Sequence, residues 1–158
     1  MTVDDIDRAL LAELQRDAGQ PYAALGRAVG LSAGSAHERV RKLRERGVIR
    51  RTTVEVDPEA VGRGVLAYVM VQSGAWMGGA ATGAALAAVP EIEEAHIIAG
   101  PASLLLKIRA GTTAGLQAAL RRVFEVDGVT GTQTTVVLET FFERPVDPAG
   151  GPGPAGGR

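Results

Sequence analysis

The sequence predicts an α+β protein made of two small domains, an N-terminal helix-turn-helix and a C-terminal ferredoxin-like βαββαβ domain. Three observations carry this prediction. Apolar residues recur at helical spacing in three short segments before Gly47, and a tight turn precedes the third. From Val65 onward, β-branched runs and helical segments follow the order strand, helix, strand, strand, helix, strand. The composition, 46% apolar and 22% charged over 158 residues, is that of a chain able to bury a core.

In the first domain, residues 1–52, Asp4 or Asp5 caps a helix whose apolar face is Ile6, Leu10, Leu11 and Leu14. That helix ends near Ala18-Gly19. Pro21 suits the first turn of a second, short helix that buries Leu25, Ala28 and Val29, and Gly30-Leu31 breaks it. Ser32 then stands where an N-cap belongs. Ala36, Val40 and Leu43 follow at i, i+4, i+7 and form the buried stripe of a third helix, closed by Gly47. At about 100° per residue, Gly34, Glu38, Arg41 and Glu45 point away from that stripe, while Ser35, Arg39, Lys42 and Arg46 lie along one flank. Val48–Val56 is rich in β-branched residues and reads as a strand, either a wing or the first piece of a connector. Residues 53–63 are taken as connector strand and linker, with Asp57-Pro58 ending the strand.

The second domain spans residues 64–144. Val65–Val71 is a strand apolar on both faces. Residues 78–88 read as a helix despite Gly78, Gly79 and Gly83, each of which costs about 1 kcal/mol against alanine. Ile92–Ile98 and Ser103–Ala110 form a hairpin around Ala99-Gly100-Pro101-Ala102. Thr112 or Thr113 caps a helix carrying Leu116, Leu120, Val123 and Phe124, and Val129–Phe142 supplies the last strand or strand pair. Two helices on one face of such a sheet leave the other face bare. Here that face is expected to be apolar and to be covered by a second copy of the chain, giving a homodimer. The tail, residues 145–158, is nearly all proline, glycine and alanine and is expected to be disordered. Trp76 suits either packing within its glycine-rich loop, which is expected, or an interface anchor.

Several function classes are excluded. With no cysteine, and with His37 and His96 far apart, no metal site or cofactor is predicted. The acidic start, MTVDDIDRALL, lacks the features of a secretory signal, and no apolar run approaches the roughly 18 residues that span a bilayer, so a cytoplasmic protein without membrane contact is expected. Gly62-Arg63-Gly64-Val65-Leu66-Ala67 satisfies a dinucleotide-binding pattern but precedes a strand instead of following one. Paired carboxylates, a Ser-His-Asp set and a phosphate loop are all missing, which argues against an enzyme. The formal net charge of −1 hides an asymmetry. Residues 37–51 hold seven arginines and lysines against two glutamates, +5, whereas residues 57–158 hold seven basic and ten acidic residues, −3. A cationic third helix behind a tight turn fits the DNA major groove, about 12 Å wide.

At this point the chain resembles the Lrp/AsnC, or feast/famine, family of prokaryotic transcription factors. The likeness rests on Asp5-Ile6-Asp7 with Leu10-Leu11-Leu14, Leu25-Gly26, Val29-Gly30-Leu31-Ser32, Arg39-Val40 with Leu43 and Gly47-Val48-Ile49. It continues through Asp57-Pro58, Val61-Gly62, Gly100 with Leu104-Leu105-Leu106-Lys107, and Gly128-Val129 with Thr132-Gln133-Thr134. The resemblance implies a winged helix-turn-helix joined to a ligand-sensing domain, dimers assembling into tetramers or octamers, and an amino acid or related metabolite as effector. DNA contacts are then assigned to Ser32, Ser35, His37, Glu38, Arg39, Arg41, Lys42, Arg50 and Arg51. Arg39, Lys42, Arg50 and Arg51 are assigned to phosphates, and Ser35, His37, Glu38 and Arg41 to base edges. His37 equally suits simple exposure, and His96 a structural hydrogen bond. The effector is assigned to Ile98, Ala99, Gly100, Pro101, Ala102, Ser103, Thr132 and Thr134. The family's hairpin commonly reads Gly-Asp-x-Asp where this chain has Gly100-Pro101-Ala102-Ser103, so a neutral, mainly apolar effector side chain is expected. Two rival readings are an oligomeric metabolite-binding module without DNA binding and a small ferredoxin-like enzyme.

Overall fold

A computed structural model describes residues 3–150. It divides into two units, one taking in the chain up to Val54 and again from Glu143, the other Glu55–Phe142. Of the connector, residues 53–63, all but Thr53 and Val54 thus belong with the second unit.

The first unit has three helices, α1 (Asp5–Arg16), α2 (Tyr22–Ala28) and α3 (Ala33–Glu45). Each start follows from a local device. The Asp4 carboxylate accepts from the Asp7 N–H at 2.7 Å, Pro21 fixes the entry to α2, and the Ser32 hydroxyl accepts from the Ser35 N–H. At the end of α3, Gly47 takes φ +70°, the Gly47 N–H reaches the Arg44 carbonyl and the Val48 N–H the Leu43 carbonyl, a Schellman stop. Leu10, Leu25, Ala36 and Val40 form the fully buried core, with Leu14, Val29 and Ile49 packed around it. Ala28, expected on the buried side of α2, is exposed, and Gly26 takes that position. A Cβ at Gly26 would sit 2.6 Å from the Leu31 carbonyl oxygen, so this glycine is what lets the turn before α3 close.

The strand expected over Val48–Val56 is not formed. Residues 50–57 carry no regular structure and no strand pairs with them. A β-branched run becomes a strand only when a neighbour accepts its backbone hydrogen bonds, and none of the described residues does so here. Residues 143–150 lie without helix or strand against α1, where Gln15 donates to the Val146 carbonyl at 2.9 Å and Arg8 to the Pro148 carbonyl at 3.0 Å. The rest of the tail lies outside the described residues.

The second unit is a four-stranded antiparallel sheet in the order β2-β3-β1-β4, with β1 Val65–Ser73, β2 Ile92–Ile97, β3 Leu104–Ala110 and β4 Val129–Val136. Helices α4 (Ala80–Ala87) and α5 (Thr113–Phe124) complete the βαββαβ order. Ala67, Val69 and Val71 pair with Ile108, Leu106 and Leu104, and these buried residues join Leu86, Leu116, Ala119 and Val123 in one core.

The other face of the sheet corrects the sequence expectation, because it is mixed and not simply apolar. Tyr68, Met70 and Leu105 share it with Lys107 and Arg109. Arg109 bonds Glu93 at 2.7 Å, and Lys107 lies 3.7 Å from Glu93 and from Glu94. The strand β4 is also shorter than expected. After Val137 donates to Leu66 the chain leaves the sheet, and Leu138 is 97% exposed. Trp76 does not pack inward: it is 79% exposed, with its ring across Gly78.

Candidate nucleic-acid interface

The sequence of α3 sorts its side chains into a buried stripe, Ala36, Val40 and Leu43, and a charged remainder. On the outward face Arg41 is flanked one turn before by Glu38 and one turn after by Glu45. Its Nε donates to Glu38 Oε2 at 2.9 Å and its Nη2 to Glu38 Oε1 at 2.6 Å, while Nη1 contacts Glu45. Lys42 Nζ lies 3.5 Å from the same Glu38 carboxylate. These pairs hold Glu38 well below the usual carboxylate range, at about 2, chiefly through the Arg41 hydrogen bond. The Arg41 and Glu38 side chains are both about half exposed, so water screens these pairs and a stronger partner displaces them readily.

Arg39, assigned from sequence to a DNA phosphate, is otherwise engaged. Its guanidinium donates to Asp4 at 2.7 Å and to Asp7 at 2.8 Å, and Asp7, only 6% exposed, is the buried charged residue of the unit. The side chain therefore ties α3 to α1. His37 stands edge-on to the Tyr22 ring, centroids 4.8 Å apart, and is exposed. Ser32 and Ser35 share the N-terminal turn of α3, with hydroxyls 2.9 Å apart.

Arg44, Arg50 and Arg51 are exposed and have no ion-pair partner among the described residues. All three line one cleft of about 620 Å³ with Leu11, Leu14 and Ile49. Arg44 is not among the contacts assigned from the sequence. The signal was available, since no acidic residue lies three or four positions from it, unlike Arg41.

In the second unit Ile98–Ser103 forms the β2–β3 loop. The Ser103 N–H donates to the Val71 carbonyl at 2.9 Å, and its hydroxyl lies 2.9 Å from that of Ser73. Thr132 is opposite Val71 on the other side of β1, and Thr134 is opposite Val69. Ser103 and Thr132 are thus brought to one end of β1, with Thr134 two residues further along β4. His96 hydrogen-bonds Glu94 at 3.1 Å, and that bond lowers the Glu94 pKa. Among the described residues no group of side chains is arranged to hold a metal, and no helix is long and apolar enough to cross a membrane.

Residues 3–44 match the model of the AsnC-type helix-turn-helix domain, and residues 66–147 that of the Lrp/AsnC ligand binding domain. The chain belongs to the Lrp/AsnC family. Among curated relatives, the HTH-type transcriptional regulator FL11 of Pyrococcus horikoshii is 36% identical over 89% of this chain and 93% of its own length. The regulator LrpA of Mycobacterium tuberculosis is 32% identical over 89% and 93%. Among solved structures, the feast or famine regulatory protein of M. tuberculosis complexed with L-methionine superposes with a TM-score of 0.82 at 32% identity, covering 90% of this chain and 96% of that one. AsnC of Escherichia coli gives 0.81 at 26% identity, covering 93% and 99%. As an Lrp/AsnC protein the chain is a helix-turn-helix transcriptional regulator and not an enzyme.

Proposed function

We propose that the chain binds double-stranded DNA as a homodimer, in assemblies extending to tetramers or octamers, and that an amino acid with a neutral side chain modulates its DNA binding. It acts in the cytoplasm, beside the DNA it regulates. The observation that carries this reading is α3, whose buried stripe anchors it in a three-helix core while its outward face and the neighbouring Arg44, Arg50 and Arg51 stay open. Two such helices about 34 Å apart in a dimer suit successive major grooves. Arg44, Arg50 and Arg51 then meet phosphates, and Ser35, Glu38, Arg41 and Lys42 lie nearest the base edges.

The effector is assigned to the β2–β3 loop with Ser103, Thr132 and Thr134. Pro101 removes a backbone donor and no carboxylate stands in Ile98–Ser103, so an ammonium side chain would be desolvated without a partner. The methionine held by the M. tuberculosis relative has an uncharged side chain, in line with this choice. Calorimetry with a panel of common amino acids tests it. Leucine, methionine or phenylalanine should bind more tightly than lysine and arginine, and the reverse order would overturn the assignment.

A further inference from the structure

We propose that Glu38 is a selectivity gate for the DNA-reading helix: its carboxylate keeps the Arg41 fork closed until a duplex offers a base acceptor to Arg41 and an exocyclic amine to Glu38. This rests on the reading that α3 enters the major groove. The geometry supplies the reason. Glu38 takes two arms of the Arg41 guanidinium, Nε and Nη2, in a parallel bidentate bond, and Glu45 takes Nη1. A guanidinium reads the O6 and N7 of guanine with the same two-pronged fork that it gives a carboxylate, so guanine and Glu38 compete for the same face of Arg41.

The outward face is also electrically balanced. Arg41 and Lys42 stand against Glu38 and Glu45, all four partly or fully exposed. On a duplex that offers only phosphates, this face brings two carboxylates toward a polyanion and gains little, because its cations are already occupied. The open arginines Arg44, Arg50 and Arg51 carry such binding. On a duplex presenting guanine next to a cytosine or adenine amine, the pair separates and every group finds a new partner: Arg41 on the guanine acceptors, Glu38 on the amine. Both side chains are about half exposed, at 48% and 46%, so opening the pair leaves the fold undisturbed.

The test uses the full-length protein, duplexes it selects from a randomised library, and random-sequence duplex of equal length. Affinities for both are measured by fluorescence anisotropy over a range of potassium chloride for the wild type, Glu38→Gln and Glu45→Gln. The isosteric Glu38→Gln variant should bind random duplex about tenfold more tightly and lose about tenfold of the preference for selected sequence, the worth of one good base contact. Its salt slope on random duplex should steepen by about 1–2 per protomer as Arg41 and Lys42 are released to phosphates. Glu45→Gln should tighten random binding while keeping the preference, which separates gating from a general loss of negative charge. An unchanged preference in Glu38→Gln, or equal losses in both variants, overturns the gate while leaving DNA binding intact. Failure of the wild type to bind any duplex overturns the parent reading and the gate with it.

Discussion

Arg39 shows how one side chain changes role when a distant contact is known. From sequence it is one of a run of cations suited to phosphate. In the structure it holds Asp4 and Asp7, thirty-five and thirty-two residues away, and so fixes the recognition helix on α1. Removing it leaves the buried Asp7 carboxylate without its cation, and an unsatisfied buried acceptor costs about 1–3 kcal/mol. Arg39→Ala should therefore lower the thermal midpoint while leaving the salt slope of the DNA affinity unchanged. A flatter slope would show that Arg39 touches phosphate after all. The same contact gives a pH dependence. The Asp7 N–H first, and then the Arg39 guanidinium, hold the Asp4 carboxyl below its ordinary range. A depressed carboxyl stabilises the fold fully above its unfolded value, near pH 4, and this contribution fades as pH falls through the lower folded value. Nothing local in the sequence announces this pairing.

At the scale of elements, the helices were legible because their signals are local: Asp4, Ser32 and Thr112 at the caps, Gly47 at the stop, and apolar stripes between them. The hairpin and α5 were legible for the same reason. What the sequence could not yield depends on neighbours. Val48–Val56 has strand composition but no strand to pair with, and β4 ends at Val136 although β-branched and aromatic residues continue to Phe142. The open sheet face was misjudged because Lys107 and Arg109 alternate with the buried Leu104, Leu106 and Ile108, so the apolar run hides a polar side. Of the DNA-contact set, the placing of residues on α3 was legible, whereas Arg39's engagement and Arg44's openness were not read. The turn between α2 and α3 makes a sharp prediction. In Gly26→Ala the gain in helix propensity, about 1 kcal/mol, is opposed by a methyl 2.6 Å from one backbone oxygen and 2.9 Å from another. Neither oxygen is the end of a flexible side chain, so the clash wins. The variant should melt earlier than wild type by a few degrees, and an equal or higher midpoint would show that the turn has slack.

At the scale of the whole molecule, charge and apolar surface are divided between the units. Arg44, Arg50 and Arg51, exposed and without an ion pair among the described residues, belong to the first. The second carries Tyr68, Met70 and Leu105 beside Lys107 and Arg109 on its uncovered sheet face, with Leu138, Phe141 and Phe142 exposed beyond it. A fragment beginning near Gly62 should accordingly form dimers in sedimentation, and a well-folded monomer would contradict the assignment of assembly to this unit. The central claim, that the cations around α3 meet DNA phosphates, has one direct measurement: the logarithm of the DNA association constant against the logarithm of salt concentration. With Arg44, Arg50 and Arg51 open in each protomer, a dimer should give a slope steeper than about −4, at roughly 0.9 per phosphate contact, and a nearly flat line would contradict the claim.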